Sequence, residues 1–257
     1  MELKMKHITW LAIFLIVACN CHAQSSKEMV APFRNIVKLI RADKAAELAR
    51  LVKYPLKRQN PLPDIHNAKA FVADFNILFD TAFKEKLKLY NDTDIFEHNG
   101  AYGLVGGVFS GDIWLNDNGL ISSLNYSSKH EQALRDELTK KIQGRIYPGV
   151  NSWTENILVA KSNNLLIRID ETKKGTRYVA WSKGRPNSGK PDLVLYNGIQ
   201  EFQGTMGGWT WTFKNGDWTY IIDDVEMCEE PYKDCGLFLR LLYKDVPKSS
   251  VRLTETK

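Results

Sequence analysis

Metal and redox chemistry find little to work with in this chain. Its 257 residues include four cysteines and five histidines, and Cys19, Cys21, His7 and His22 all fall within the first two dozen positions. His66, His98 and His130 each lack a histidine at i+2 to i+4, so no local histidine metal site is written into the sequence. There is no Gly-x-Ser-x-Gly elbow, and the only cysteines in the body of the chain are Cys228 and Cys235. The common serine and cysteine nucleophile arrangements therefore have no support. No catalytic residue, cofactor or metal is assigned. A strong charge imbalance is also missing. Net charge is +5, with the basic residues spread along the chain, which excludes nucleic acid as the expected partner.

The one long apolar run is at the start. Lys4 and Lys6 precede the uncharged stretch Ile8 to Ala18, and small and polar residues follow in "CNCHAQSS". This is the three-part layout of a secretory signal peptide. As a helix the run would span only about 16 Å, half a bilayer core, so a permanent transmembrane anchor is not expected. Two processing routes remain open: ordinary cleavage between Ala23 and Gln24, or lipidation at Cys19 in the lipobox-like "IVAC". Either places the protein in the periplasm or outer membrane of a Gram-negative bacterium, touching a membrane only through a lipid anchor.

Export decides how Cys228 and Cys235 are read. Their spacing in "CEEPYKDC" suits neither a C-x-x-C metal knuckle nor a thioredoxin-type pair. In an oxidising compartment a short disulfide staple is the better expectation. The acidic residues around it, among them Asp223, Asp224, Glu229 and Glu230, match no calcium-loop spacing.

The fold class expected is α+β. Residues 28–126 form a helix-rich domain closed by strands, 127–145 a connecting helix, and 146–257 an antiparallel all-β barrel or sandwich. "FRNIVKLIRA" and "DKAAELARLV" repeat apolar residues at helical spacing, with Asp43 as N-cap of the second. "KYPLKRQNPLP" reads as a short edge strand. Phe71, Phe75, Leu78, Phe79 and Phe83 make one apolar helical face. Ser128 and Glu131 form a capping box, followed by i,i+4 ion pairs. Asn-Gly turns at Asn118, Asn197 and Asn215 set hairpins. Around Asn215-Gly216 as a type I′ turn, Trp211 faces Tyr220 and Trp209 faces Ile222. That aromatic ladder is a domain core or, with Trp114 elsewhere, a ligand platform of Trp209, Trp211 and Trp114.

"GRPNSGKP" mimics a phosphate loop but places Pro191 where Ser or Thr must hold Mg²⁺, and a strand rather than a helix follows. Asp64, Asp80, Asp112 and Glu201 are the carboxylates left for acid/base work.

"DKAAELARLVKYPLKR", "NAKAFVADFNILFDTAFKEKL" and "AYGLVGGVFSGDIWL" together resemble a type of exported bacterial domain associated with the cystatin-like α+β cone, the superfamily of nuclear transport factor two and ketosteroid isomerase. The resemblance covers roughly residues 30–126. It implies a curved sheet wrapped on a helix around a pocket, used by some members for catalysis and by others for binding alone. None of the catalytic residues of the enzymatic members has a match here. The expected function is that of an exported, non-enzymatic binding or accessory protein for a small molecule, glycan or protein. The alternatives are a hydrolase or isomerase using carboxylates in the cone pocket, and an inhibitor or immunity factor.

Overall fold

A computed structural model describes residues 26–203, 208–225 and 235–256. Cys19, Ala23, Gln24 and Cys228 lie outside these residues, as does most of the acidic run preceding Cys235. The chain is α+β, with five α-helices and thirteen strands in two antiparallel sheets among the described residues.

Helices α1 (Val30–Arg41), α2 (Ala45–Leu48), α3 (Ala68–Leu78) and α4 (Thr81–Lys86) precede the first sheet, a meander in the order β1 (Ile95–His98), β2 (Ala101–Gly106), β3 (Phe109–Leu115), β4 (Ile121–Leu124). The apolar face foreseen from the phenylalanines forms, but it is divided between two helices. Asp80 stops α3 and caps α4 by accepting from the Phe83 N–H at 2.9 Å, and Phe71, Phe75, Phe79 and Phe83 stack on through the break into one buried column. Asp43 is not an N-cap. It takes a positive φ in the turn after α1, and its carboxylate pairs with Lys84. The proline-rich stretch forms no strand, only isolated bridges at Val52↔Ile121 and Leu56↔Ile65.

The glycines of "AYGLVGGVFSGDIWL" have a packing reason. A Cβ at Gly103 would lie 2.7 Å from the Trp114 ring, so the indole can lie flat only over a bare backbone. Trp114 Nε1 donates to the Gly111 carbonyl at 2.9 Å.

Helix α5 (Lys129–Gln143) leads to the second sheet. Ser128 caps it, accepting from the Glu131 N–H at 3.0 Å. The reciprocal half of the capping box is absent, because the Glu131 carboxylate turns inward to Arg58. None of the expected i,i+4 ion pairs forms among the described residues; Arg135 donates to Gln59 instead.

The second sheet has nine strands: β5 (Glu155–Ser162), β6 (Leu165–Thr172), β7 (Gly175–Ser182), β8 (Leu193–Leu195), β9 (Ile199–Phe202), β10 (Gly208–Asn215), β11 (Trp218–Val225), β12 (Gly236–Tyr243) and β13 (Val246–Glu255), in the order β8-β7-β6-β5-β13-β12-β11-β10-β9. This is neither a sandwich nor a closed barrel. Laid flat, its edges β8 and β9 would stand roughly 38 Å apart at normal strand spacing. Residues 196–198 alone join them, a reach of about 14 Å at full extension. The sheet must therefore curl into a half-barrel, and β8 comes against β10. Asn197, expected at a hairpin turn, instead crosses this seam with a positive φ. Gly198 beside it leaves room for the Phe213 ring, which a Cβ would overlap at 2.2 Å.

The interior is filled by Ile167, Ile169, Tyr178, Trp211, Phe213, Ile222 and Leu239. A second apolar cluster of Ile146, Val150, Val179 and Trp181 seals the outer face of β6 and β7 under residues 145–154. The loop that mimics a phosphate motif helps close it, with the Gly189 carbonyl accepting from Trp181 Nε1 at 2.8 Å.

The β10–β11 hairpin differs from the expected register by two residues. Gly216 and Asp217 form the turn, with a positive φ at Gly216 alone, so Trp211 pairs with Ile222 and Phe213 with Tyr220. Glycine at the first central position is the type II′ requirement. A slip of two leaves every side chain on its expected face. The Asn118-Gly119 turn is also of another kind: only Gly119 has a positive φ, and Asn116 accepts from the N–H groups of Asn118 and Leu120.

Candidate functional site

Residues 54–66 run between the two sheets and, where they meet the end of β4 and the start of α5, shape a pocket at that junction. Leu56, Leu62 and Ile65 are buried anchors, and reciprocal backbone bonds join Leu56 to Ile65 at 2.8 and 3.0 Å. With both ends pinned, Arg58 must point inward. Its side chain is 4% exposed, with Nε donating to Glu131 and Nη1 to Asp74, each at 2.8 Å. A buried guanidinium needs such partners, since burying it unpaired would cost several kcal/mol. On the other side Asn60 Nδ2 reaches the Ile157 carbonyl of β5 at 2.9 Å, and Lys57 bridges Asp64 and Glu255.

Between this segment and the end of β4 the pocket encloses about 310 Å³. Leu56, Leu62, Leu78 and Leu124 are its apolar surfaces, and Gln59, Ser123, Asn125 and Ser127 supply neutral hydrogen-bonding groups. Tyr126 forms part of the wall. Its ring stacks on Phe83 with centroids 4.2 Å apart, and its hydroxyl donates to Asp80 at 2.7 Å.

Titration behaviour does not suit this pair to proton transfer near neutrality. Desolvation pushes Asp80 upward but is outweighed by the Phe83 N–H, the Tyr126 hydroxyl and the Lys129 N–H, which hold the carboxyl below its ordinary range. Desolvation, then the Asp80 hydrogen bond, drives the Tyr126 phenol well above its ordinary value. A general base needs a pKa near the working pH, and neither group has moved that way.

The residues singled out from sequence do not converge. Trp211 is 4% exposed in the half-barrel core. Trp209 is 40% exposed and packs edge-on against Phe202 at 5.2 Å, while Trp114 lies on the other sheet. Of the carboxylates, Asp64 faces Lys57, Asp112 faces Lys86 at 2.8 Å, and Glu201 is exposed on β9. No group of three or more His, Cys, Asp or Glu is arranged to hold a metal among the described residues, and no helix among them is long and apolar enough to cross a membrane.

Sequence reasoning missed Arg58, Asp74 and Tyr126. Its one usable signal was Glu131, read as half of a capping box when the other half of its chemistry belonged to a distant arginine. Comparison of the chain with protein-family models, with curated proteins and with solved structures returns no match to any of them.

Proposed function

We propose that the chain is an exported, non-enzymatic binding protein whose junction pocket holds a small uncharged ligand rich in hydroxyl groups, such as a glycan fragment. The observation that carries this reading is the pocket's lining, in which apolar side chains alternate with neutral donors and acceptors. The ionic groups that line it are already engaged, Arg58 with Glu131 and Lys57 with Asp64 and Glu255. Such a surface offers stacking and hydrogen bonds and no free charge for an ionic ligand. The cone-superfamily resemblance of residues 30–126 belongs to this reading as an expectation carried by the sequence.

Calorimetric titration with a panel of neutral saccharides tests it. At least one should bind, and Ser127→Trp, which fills the pocket mouth, should weaken that binding by about tenfold or more, 1.4 kcal/mol. A panel without binders, or a Ser127→Trp variant that binds as well as the parent, refutes it.

Export is supported by the N-terminal layout. Mature protein beginning at Gln24 or acylated at Cys19 would establish the route, and an intact N-terminus in the envelope would overturn it. The same compartment favours a Cys228–Cys235 disulfide, for which reduction should add about two mass units. An unchanged mass excludes it.

A second reading, an inhibitor or immunity factor, is favoured by the apolar edge at β9, where Ile199 and Phe202 are 60% and 53% exposed and Trp209 of the adjoining β10 is 40% exposed. An edge strand with exposed apolar side chains is a template for another chain. Photo-crosslinking from position 202 in the envelope should then trap a protein partner, and no adduct would remove this reading.

A further inference from the structure

The outer face of β5–β7 buries an ionic group that is not neutral. Asp170, fully buried, accepts from Arg168 Nη2 at 2.8 Å and from Arg177 Nη2 at 3.0 Å. Asn156 adds a neutral donor at 2.8 Å. Both arginines are 3% exposed. Two guanidiniums sharing one carboxylate leave an excess positive charge away from water, an arrangement that costs free energy unless further acceptors meet it. Arg168 is partly provided for by the Trp153 ring, whose centroid is 4.4 Å away. Arg177 is not: Nη2 also reaches the Val150 carbonyl at 2.7 Å, but its buried Nε–H has no acceptor among the described residues.

Arg177 forms part of the wall of a cleft of about 280 Å³, with Ser152, Trp153, Lys173, Lys174 and Tyr196 among the other residues around it. Among the described residues no carboxylate lines this cleft, and neither lysine makes an ion pair. Glu171, adjacent in sequence, belongs to the opposite face of its strand, where it accepts from Thr176.

We infer that this cleft is a second ligand site, selective for an oxyanion borne as a phosphate or carboxylate group on a small molecule. The anion supplies the negative charge that the Arg168–Asp170–Arg177 group lacks. Lys173 and Lys174 attract it, and the Tyr196 and Trp153 side chains flank whatever carries it. This site is separate from the junction pocket and does not depend on the function proposed for it.

Titration of the purified protein with inorganic phosphate and with acetate at low ionic strength tests the inference. Binding of phosphate alone assigns a phosphate head group, and of acetate alone a carboxylate. Equal binding of both assigns recognition of charge without geometry. In each case Lys173→Ala/Lys174→Ala should weaken binding by about tenfold, because two exposed lysines contribute mainly screened Coulomb attraction. Arg177→Lys, which keeps the charge and loses the fork, should weaken it further. If Arg177→Lys does not fold, the lysine pair decides alone. Ser127→Trp should leave anion binding intact. Neither anion binding below about 10 mM, an affinity of under 3 kcal/mol, would overturn the inference, as would an unchanged affinity in the double lysine variant.

Discussion

The protein buries two arginine systems of opposite balance. At the junction one guanidinium, Arg58, meets two carboxylates, Asp74 and Glu131. On the half-barrel wall two guanidiniums, Arg168 and Arg177, share the single carboxylate of Asp170. The first arrangement has more carboxylate than guanidinium and borders a pocket whose hydrogen-bonding groups are mostly neutral. The second is short of negative charge and borders a cleft with two lysines. Burial alone therefore does not mark a group as structural or functional. Whether its partners account for its charge is the more telling property.

Substitutions can break this contrast. The largest effect is expected for Asp170→Asn, which strands two buried guanidiniums and should cost about 3–5 kcal/mol in urea unfolding; a loss under 1 kcal/mol would mean the wall is wetter than its geometry implies. Trp211→Ala should cost a similar amount, about 3–5 kcal/mol, as a cavity in the half-barrel core. A stable Trp211→Ala variant would contradict its burial.

Glu131→Gln comes next, at about 1–3 kcal/mol, because Arg58 keeps Asp74 while losing a charge-assisted bond. Should it equal Asp170→Asn, the two systems would not differ as described. Tyr126→Phe removes one hydrogen bond, about 0.5–1.5 kcal/mol, and should move Asp80 up toward its ordinary value, readable by carboxyl NMR titration. The sign follows from the depression of Asp80 in the folded state. Its stabilising contribution is present above the unfolded value of about 3.9 and is lost as pH falls through the folded one. Tyr126→Phe should therefore flatten the acid limb of the stability profile. Arg34→Ala, which removes the exposed pair with Asp92, should leave the urea midpoint unchanged within error.

Much of the second sheet was legible. Alternation in "NLLIRID", "TRYVAWS" and "GWTWTF" identifies strands and their inner faces because the side-chain period of two survives any register slip of two. The register itself was not legible: an Asn-Gly pair admits a turn centred on Asn215 or on Gly216, and the choice is made by pairing with β12. The curl escaped for a related reason, since nothing local in "LYNGI" says that β8 and β9 occupy opposite edges rather than one hairpin. The junction site was least visible. Arg58 and Glu131 are 73 residues apart, and each has an ordinary surface role within its own neighbourhood. Arg168 and Arg177 look like solvent-facing strand positions until residues 145–154 fold over them.

One feature of the half-barrel governs how the chain must be assembled. Strand β13, last in sequence, occupies the middle of the nine-stranded order and pairs with β5 at Thr254↔Lys161 and Glu255↔Ala160, with the Thr256 N–H on the Val159 carbonyl at 2.8 Å. During vectorial emergence of the chain, the arm built from β5 to β8 waits with β5 as an open rim while β9 to β12 are delivered. The final strand then works as a clasp. Until it engages, the two arms are independent flaps with unpaired margins, so this stage is the chain's period of greatest exposure to aggregation and to attendant chaperones.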